Sequence, residues 1–342
     1  MRFARCRDLT GVKPSGKTIA IIGAGPAGLG AAGELICMGH KVIIYDMLPE
    51  PGGLMMFGIP KIRMPKDRIR AGIEELKSLG VEFKCNTKVG RDVLLKDLIS
   101  EYDAVLIATG TWKSNPLGIP GEDLPGVYDA LYYIINTHLS EMGYKPFQEV
   151  PDLYGIVAVI GGGLTAIDAC YIARKRGASD VILLYRRTRK QAPAGEGEFN
   201  RIEVEYKVKI YELTQPIRFI SENEHVKYIE AIKMKLGPPD KSGRPRPEPI
   251  PGSEHKYEVD NVLVAAGLIA TPPPEVKELG IEITKWNTIK TDKKHRTTLK
   301  GVFAAGDVKH GPSLIGPALK SGREAAKYID EYLKTGEWGW EE

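Results

Sequence analysis

Residues 18–46 decide the fold and read Thr18-Ile-Ala-Ile-Ile-Gly23-Ala-Gly25-Pro-Ala-Gly28-Leu-Gly-Ala-Ala-Gly-Glu-Leu-Ile-Cys-Met-Gly-His-Lys41-Val-Ile-Ile-Tyr-Asp46. The apolar run 19–22 predicts a strand that is buried on both faces of a parallel sheet. Three glycines follow at the G-x-G-x-x-G spacing, then a helix of small residues and a second apolar run that ends in an acid. This order of strand, turn, helix, strand and carboxylate is typical of a βαβ unit that binds a dinucleotide.

Each part of this unit meets one demand of a bound pyrophosphate. Gly23 permits the tight turn, Gly25 lets the backbone approach the phosphates, and Gly28 lets the helix pack against the strand. The helix N-terminus attracts negative charge, and Asp46 is placed to accept hydrogen bonds from a ribose 2′-hydroxyl. The alternative is a glycine-rich turn with a purely structural role. A lone glycine triplet would be compatible with that alternative, but the order of strand, turn, helix, strand and carboxylate disfavours it.

The composition describes an ordinary globular protein that is long enough for two domains. The chain has 342 residues, of which 42% are hydrophobic and 27% charged, and a single core stops growing below that length. A net charge of +4 without a long basic block argues against nucleic acid as a partner. No membrane insertion is expected, because the apolar stretch 19–39 contains Pro26, Glu34 and the glycine turn.

The cysteines predict neither a redox dithiol nor a metal centre. Cys6, Cys37, Cys85 and Cys170 are far apart and form no C-x-x-C pair, which excludes a motif-type zinc or iron–sulfur site within this chain. The six histidines show no metal-like spacing. Four cytosolic thiols and a cytoplasmic location are the simplest interpretation. Cys6 is expected to be an ordinary thiol in an aperiodic arm, 1–17, that lies on the surface or on a partner.

Two later segments are expected to reach the same nucleotide. Residues 48–60 are rich in glycine and proline and predict a loop beyond the strand that ends at Asp46. A buried strand over 102–108 runs into Thr109 and Gly110, and ligands bind at that end of the strands in open α/β sheets.

The opening pattern returns about 140 residues downstream. Residues 155–160 predict a strand, Gly161-Gly-Gly163-Leu164-Thr165-Ala166 a second glycine turn, and 181–185 a strand after a helix. Tyr185-Arg186-Arg187, followed by Arg189 and Lys190, stands where the first unit has its acid. Arginines clamp a 2′-phosphate that a carboxylate would repel, so the second site suits NADP(H). The alternative is a solvated basic loop.

The last third of the chain is expected to complete both units. Residues 206–213 and 227–236 predict strands, and the proline-rich segment 237–256 predicts a hairpin tip or a partner contact. Residues 301–307 predict a buried strand that ends in Gly306-Asp307, where an acid can bind a ribityl chain. A helix is expected from about Ile315. The positive end of its dipole would stabilise a ring at its N-terminus that gains negative charge on reduction. The alternative for Asp307 is a helix cap.

These motifs together resemble the two-dinucleotide-binding flavoproteins, which are FAD- and NAD(P)H-dependent oxidoreductases. More narrowly, three segments resemble the glutamate synthase small subunit and its relatives, which include flavin subunits of electron-bifurcating and heterodisulfide-reductase-like complexes. The segments are Phe57-Gly-Ile-Pro-Lys-Ile-Arg63-Met-Pro-Lys66, Tyr185-Arg-Arg-Thr-Arg189 with Ala192-Pro-Ala194, and Ser242-Gly-Arg244 to Gly252-Ser253. The resemblance covers roughly residues 14–335.

The resemblance implies an α/β fold of two Rossmann-like domains. The expected FAD domain comprises 18–118 and 284–342, and an NAD(P)H domain is inserted at 119–283. Hydride is expected to pass from nicotinamide C4 to flavin N5 without a catalytic side chain. The electrons are then expected to pass to an iron–sulfur or sulfur-redox partner subunit in a homo- or hetero-oligomer.

The residues expected to bind cofactors lie at strand ends, glycine turns and helix starts. Those expected to bind FAD are Gly23, Gly25, Pro26, Ala27, Gly28, Asp46, Gly53, Leu54, Gly58, Ile59, Arg63, Val89, Ala108, Thr109, Gly110, Gly306, Asp307, Ile315 and Ala318. Those expected to bind NADPH or NADH are Gly161, Gly163, Leu164, Thr165, Ala166, Arg186 and Arg187. No metal site is expected.

Two departures from the family pattern bear on function. Glutamate synthase small subunits carry an N-terminal iron–sulfur domain, for which this chain starts too late and has too few cysteines. Leu164 replaces the aspartate of the usual Gly-Gly-Gly-Asp-Thr-Ala turn. An alternative hypothesis is therefore an FAD-bound electron-relay or assembly subunit that no longer oxidises a nicotinamide. A thioredoxin-reductase-like enzyme is disfavoured because the inserted domain has no C-x-x-C.

Overall fold

The protein is described by a computed structural model that covers residues 1–239 and 243–340. It divides into two compact units: unit 1 comprises Met1–Trp112 and the C-terminal segment from Ile269, and unit 2 comprises Lys113–Leu268. Unit 2 begins and ends earlier in the chain than the expected insertion 119–283. The reason is that the segment after Leu268 returns to unit 1, where the Thr271 N–H donates to Gly110 O at 3.0 Å.

The helices and strands follow one another in the alternating order that predicts α/β domains. The helices are α1 (Pro26–Leu35), α2 (Leu54–Phe57), α3 (Lys66–Ser78), α4 (Leu95–Glu101), α5 (Ala130–Glu141), α6 (Leu164–Lys175), α7 (Glu196–Glu205), α8 (Asp307–His310) and α9 (Ile315–Thr335). The strands are β1 (Thr18–Ile22), β2 (Lys41–Tyr45), β3 (Glu82–Lys84), β4 (Ala104–Ile107), β5 (Thr111–Ser114), β6 (Val127–Asp129), β7 (Ile156–Ile160), β8 (Asp180–Leu184), β9 (Lys209–Tyr211), β10 (Thr214–Glu222), β11 (His225–Pro239), β12 (Pro245–Pro249), β13 (His255–Glu258), β14 (Asn261–Val264), β15 (Leu268–Ala270) and β16 (Val302–Ala304). Within the described residues, no helix has the length and apolarity to cross a membrane.

Unit 1 is built on a parallel sheet with the strand order β16-β4-β1-β2-β3. The central strands β1 and β4 are buried on both faces, which is why they appear in the sequence as continuous apolar runs. Helix α9 packs closely on α1 at Gly30, where a Cβ would stand 2.8 Å from Leu319 O. The missing side chain of Gly30 permits this close approach. This packing brings the C-terminal helix beside the first glycine turn.

Unit 2 repeats this plan with a parallel sheet of order β6-β14-β7-β8-β9. Its edge strand β6 precedes the glycine turn in the chain, whereas the matching strand β16 of unit 1 comes last. Residues from α5, α6 and α7, such as Tyr133, Ile167 and Phe199, cover one face of the sheet. The antiparallel sheet β10-β11-β12, with β13 on β11, covers the other face through side chains such as Phe219 and Ile229.

Two local expectations were wrong in part, and a third, the hairpin in the proline-rich segment, was confirmed. The segment 206–213 is a strand only over Lys209–Tyr211, and the helix α7 that precedes it was not predicted. Only Phe199 and Ile202 of α7 are buried, which is too short an apolar pattern to indicate a helix. Residues 54–57 of the expected loop form the single helical turn α2. The proline-rich segment is largely the β11–β12 hairpin, in which Met234 pairs with Pro249, while 240–242 lie outside the described residues.

The N-terminal arm lies on the surface of unit 1, as one of the two expected alternatives, but Phe3 and Ala4 anchor it in the core. Phe3 is fully buried, and its carbonyl lies so close to Gly33 on α1 that a Cβ there would collide with it. This packing places Cys6 against Cys37, and the two form a disulfide across a separation of 31 residues. The prediction of four thiols is therefore wrong for this pair, because spacing along the chain does not show which segments pack together. Cys85 and Cys170 are free.

Candidate dinucleotide-binding sites

The first glycine turn leaves space at one position only. Gly23 has a φ of +105°, and a Cβ there would collide with the Ala108 carbonyl, while a Cβ at Gly28 would collide with the Gly23 carbonyl. The fold itself therefore requires glycine at both positions. A Cβ at Gly25, in contrast, would meet no described atom within 4 Å. The open space at Gly25 adjoins the N-terminus of α1, for which Gly25 is the N-cap residue.

Asp46 lies at the end of β2 and holds this turn in place. One carboxylate oxygen accepts a 2.6 Å hydrogen bond from the Ala24 N–H, and the other accepts a 2.8 Å bond from the Leu48 N–H. The side chain is buried, and burial raises the pKa of Asp46 to about 6 although both N–H groups act to lower it. Asp46 is therefore a structural acid of the turn as well as the expected ribose ligand.

The C-terminal segment of unit 1 reaches the same turn. A Cβ at Gly306 would stand 2.6 Å from Ala27 Cβ, and a Cβ at Gly322 would collide with the Ala27 carbonyl. The Ser321 hydroxyl accepts a 3.0 Å hydrogen bond from the Gly306 N–H. Asp307 follows as the first residue of α8, so the segment that carries Asp307 lies against the N-terminal turn of α1.

Asp307 is held in an orientation fixed by its neighbours. Its carboxylate accepts a 2.6 Å hydrogen bond from the Ser313 hydroxyl. Burial raises the pKa of Asp307, against the opposing effect of Ser313. Ile315 and Ala318 lie in the first turn of α9 directly after this loop. The acid and the helix start expected to serve a flavin thus belong to one continuous segment.

Two further segments of unit 1 adjoin the open space. A Cβ at Gly53 would stand 2.8 Å from Gly25 Cα, so the α2 segment lies directly against the glycine turn. At the end of β4, the Thr109 hydroxyl is buried and has no hydrogen-bond partner in the described structure. A buried hydroxyl without a partner costs free energy that a bound ligand could restore. The residues present therefore fit a nucleotide at this place.

The other predicted FAD residues occupy several environments. Leu54 begins α2, and Gly58 packs against it, since a Cβ at Gly58 would stand 2.8 Å from Leu54 Cδ2. Ile59 follows, and its carbonyl accepts a 2.5 Å hydrogen bond from Lys66 Nζ. Arg63 is half-buried in the turn after Pro60. Val89 is a core residue of the cluster that contains Val105, and this packing explains its burial without a ligand.

The second glycine turn has the geometry of the first. Gly161 has a φ of +149°, and a Cβ there would collide with the Ala265 carbonyl, as one at Gly23 would with Ala108. A Cβ at Gly163 would meet no described atom within 4 Å. Helix α6 starts immediately after it, with Leu164, Thr165 and Ala166 in its first turn. The two units thus present equivalent open turns at helix N-termini.

The acid of the first unit is replaced by an aromatic ring in the second. The Tyr185 N–H donates to Tyr211 O at 3.0 Å, as the Asp46 N–H donates to Lys84 O at the same distance. The Tyr185 ring lies against Gly162, where a Cβ would collide with it. No carboxylate therefore stands at the end of β8 to repel a 2′-phosphate.

The basic residues that follow Tyr185 have different partners. Arg186 is exposed, whereas Arg187 is buried and its Nε donates a 2.8 Å hydrogen bond to Pro245 O. Arg189 forms ion pairs with Glu212 at 2.6 Å and Glu203 at 2.9 Å, and these carboxylates raise its pKa. The expected cluster therefore separates into a structural Arg189 and the pair Arg186 and Arg187.

Three side chains that were not predicted as site residues also contribute to these sites. Lys66 donates from Nζ to Met55 O at 2.7 Å as well as to Ile59 O, and so holds the α2 segment. Ser321 anchors Gly306. Arg244 adjoins Pro245 at the Arg187 contact. Lys66 and Arg244 had a signal in the sequence, since each lies in a segment that resembles the glutamate synthase small subunit, whereas Ser321 had none.

Comparisons with known proteins agree with this geometry. A family model described as pyridine nucleotide-disulphide oxidoreductase matches residues 17–322. The beta subunit of an NADP(+)-dependent formate dehydrogenase from Moorella thermoacetica is 40% identical, over 94% of this chain and 45% of that protein. The glutamate synthase [NADPH] small chain of Halomonas elongata is 38% identical, over 95% of this chain and 70% of its own length. This chain thus spans less than half the length of the first relative.

The similarity extends to a solved structure. A variant of FprA from Mycobacterium tuberculosis superposes with a TM-score of 0.80 at 23% identity, covering 95% of this chain and 86% of that chain. A likeness at this level of identity shows a shared fold. The expected α/β class with two Rossmann-like units is thereby confirmed.

Proposed function

The chain belongs to the pyridine nucleotide-disulphide oxidoreductase family, and on that premise we propose that it is an FAD-containing NAD(P)H oxidoreductase. It moves hydride between the nicotinamide nucleotide and the flavin and passes electrons to a partner subunit that carries an iron–sulfur or sulfur-redox centre. The observation that carries the proposal is the pair of equivalent glycine turns, one followed by Asp46 and the other by Tyr185 and Arg186.

Unit 1 would hold FAD through residues that the fold already orients. The open backbone at Gly25 and the N-terminus of α1 would bind the pyrophosphate. Asp46 would accept a hydrogen bond from the ribose, in addition to those from Ala24 and Leu48, since each carboxylate oxygen has two lone pairs. Asp307 would bind the ribityl chain, and Thr109 would gain the partner that its buried hydroxyl lacks. Bound FAD supplies a ring that accepts hydride and passes electrons onward.

Unit 2 would hold the nicotinamide nucleotide in the matching way. The space at Gly163 and the N-terminus of α6 suit a second pyrophosphate. The absence of an acid at Tyr185 and the presence of Arg186 suit a 2′-phosphate. NADPH is therefore the proposed donor, and NADH is the competitor to be tested. The printed names of the two relatives above, an NADP(+)-dependent and an NADPH enzyme, support this choice.

The proposal of a partner rests on the relatives. One is named as a beta subunit and the other as a small chain, which are names of parts of larger assemblies. Cys85 and Cys170 are the free cysteines of the described residues; Cys170 is fully buried and burial raises the pKa of the Cys85 thiol to about 11. A buried or poorly ionised thiol is a weak nucleophile. A separate subunit is therefore the proposed electron acceptor.

Anaerobic titration of the FAD-loaded protein tests this function. Addition of NADPH should bleach the visible flavin band, and NADH should do so at higher concentration. The matched control is Gly163→Val. A Cβ at this position would have no described protein atom within 4 Å, but the valine side chain would obstruct a pyrophosphate. This variant should retain FAD and lose the bleaching.

Leu164 favours a second candidate, an FAD-bound relay subunit without nicotinamide turnover, because it replaces the usual aspartate at the start of α6. In that case neither nucleotide would bleach the flavin, while a reduced partner would. Affinity capture from the native host, followed by iron and sulfide analysis of the captured protein, would identify the partner. A preparation that is colourless and binds no added FAD would contradict both candidates.

A further inference from the structure

We propose that Arg244, carried by the β11–β12 hairpin, is a third arginine of the 2′-phosphate site and acts with Arg186 and Arg187 to distinguish NADPH from NADH. This inference rests on the proposed function, because it assigns a specificity residue to the nucleotide site of unit 2. It concerns a residue that lies 78 positions beyond Ala166, the last residue of the second glycine turn.

The hairpin is tied to the end of β8 by a specific contact. Arg187 Nε donates to Pro245 O at 2.8 Å, and only 4% of the Arg187 residue surface is exposed. Pro245 pairs with Pro239 at the last register position of the hairpin. Arg244 is the residue directly before Pro245, so the contact that holds the hairpin also fixes the position of its backbone.

Three arginines of this region act on the Tyr185 side chain, which lies beside the glycine turn. The Tyr185 ring packs on Gly162, in the place that the acid occupies in unit 1. Burial raises the pKa of the Tyr185 hydroxyl, while the positive charges of Arg187, Arg244 and Arg186 act in the opposite direction, in that order. Arg244 is half-buried. Three guanidinium groups therefore lie within electrostatic range of the same hydroxyl.

This arrangement matches the chemistry of a phosphate monoester. The oxygens of a 2′-phosphate accept paired hydrogen bonds from planar guanidinium groups. Several arginines around one phosphate dianion therefore bind it more tightly than a single arginine does. Arg189 is excluded from this role by its two glutamate partners. In this proposal Arg244 supplies a third guanidinium for the phosphate, from a segment other than the end of β8.

Equilibrium binding of NADP⁺ and NAD⁺ tests the inference, because the two nucleotides differ only in the 2′-phosphate. The FAD-loaded protein would be titrated by calorimetry with each nucleotide, as wild type, Arg244→Ala, Arg186→Ala and Arg246→Ala. Arg246 is the matched control, since it is an exposed arginine of the same hairpin, two residues beyond Arg244. Circular dichroism and retained FAD confirm that each variant is folded.

We expect Arg244→Ala to weaken NADP⁺ binding about tenfold, which corresponds to one charge-assisted interaction, and to leave NAD⁺ binding unchanged. Arg246→Ala should change neither constant. Equal weakening of both nucleotides, or unchanged NADP⁺ binding, overturns the role of Arg244. If Arg186→Ala weakens NADP⁺ binding while Arg244→Ala does not, the proposed function stands and only this inference fails. If wild type binds neither nucleotide, the proposed function fails with it.

Discussion

The Asp46 carboxylate accepts a 2.6 Å hydrogen bond from the Ala24 backbone N–H, so the acid at the end of β2 holds the glycine turn at the end of β1. Asp46 is thus connected to the proposed ribose site and to the loop that shapes the phosphate site. A second hydrogen bond, from the Leu48 N–H, fixes the other carboxylate oxygen. Changes to this side chain should therefore affect FAD binding in two ways.

Asp46→Asn should weaken FAD binding by about 10- to 100-fold, since the amide can accept at only one atom and a hydrogen bond to a charged group contributes about 1.5–3 kcal/mol. The dissociation constant would be measured by the recovery of free FAD fluorescence on dilution. The control is Asp92→Asn, which removes an exposed carboxylate of the same unit that also accepts from a backbone N–H. An unchanged FAD constant in Asp46→Asn would remove Asp46 from the site.

The affinity for FAD should depend on pH through Asp46. In the FAD-free protein, burial raises the pKa of Asp46 from 3.8 to about 6. Between these values the native state holds a proton that the unfolded chain has lost, so this group makes the free energy of unfolding fall as pH rises from about 4 to about 6. A ribose hydroxyl that donates to the carboxylate favours the ionised form. FAD binding should therefore tighten between about pH 5 and about pH 7.

The wild-type and Asp46→Asn proteins would be compared in that window by fluorescence titration. The variant should show a flatter pH dependence, because it lacks the titrating group. Equal slopes for the two proteins would assign the dependence to another residue.

Alanine substitutions of Gly25 and Gly23 should separate ligand binding from folding. Gly25→Ala meets no described protein atom, so the FAD-free melting temperature should change little while FAD binding weakens at least tenfold. Gly23→Ala requires a φ near +105° and collides with the Ala108 carbonyl, which should cost roughly 2–4 kcal/mol of stability. Calorimetric melting of the FAD-free proteins checks both. A Gly25→Ala variant that retains wild-type FAD affinity would contradict a pyrophosphate at this turn.

Arg189→Met should lower stability without changing nucleotide preference. The Arg189 guanidinium forms ion pairs with Glu203 and Glu212. Loss of these ion pairs should lower the free energy of unfolding, measured in urea, by about 1 kcal/mol. The ratio of KM for NADH to KM for NADPH should stay at the wild-type value, whereas Arg186→Ala should reduce it about tenfold. A reduced ratio in Arg189→Met would return Arg189 to the phosphate site.

The disulfide between Cys6 and Cys37 should be detectable by labelling. Denatured, unreduced protein should take up iodoacetamide at Cys85 and Cys170 only, and reduction should add two further labels, as read by mass spectrometry. Cys6→Ser should lower the free energy of unfolding by up to about 4 kcal/mol, the loop-entropy value for closing 31 residues. Cys85→Ser is the control. Four labels without reductant would show that the pair is reduced.

The two glycine turns could be predicted from the sequence because everything that forms them lies close together in the chain. Gly23, Gly25 and Gly28 act through their own φ angles and missing side chains, and the apolar runs beside them have the composition of buried parallel strands. The same local logic predicted Asp307 after its strand and the contrast between Asp46 and Arg186. Helix α7 and the strand β9 were harder, because Phe199 and Ile202 alone make too weak a period.

The tertiary structure alone decided which distant side chains meet. Nothing in the sequence near Cys6 indicates Cys37, nothing near Arg189 indicates Glu203 and Glu212, and nothing near Arg187 indicates Pro245. These contacts form because buried apolar surfaces pack the N-terminal arm on α1, and pack α7 and the antiparallel sheet on the two faces of the parallel sheet of unit 2. No local period of the sequence encodes packing between segments so far apart in the chain. The sequence thus determined the two nucleotide-binding turns and the charge that follows each, while packing determined which charges are neutralised and which remain near the sites.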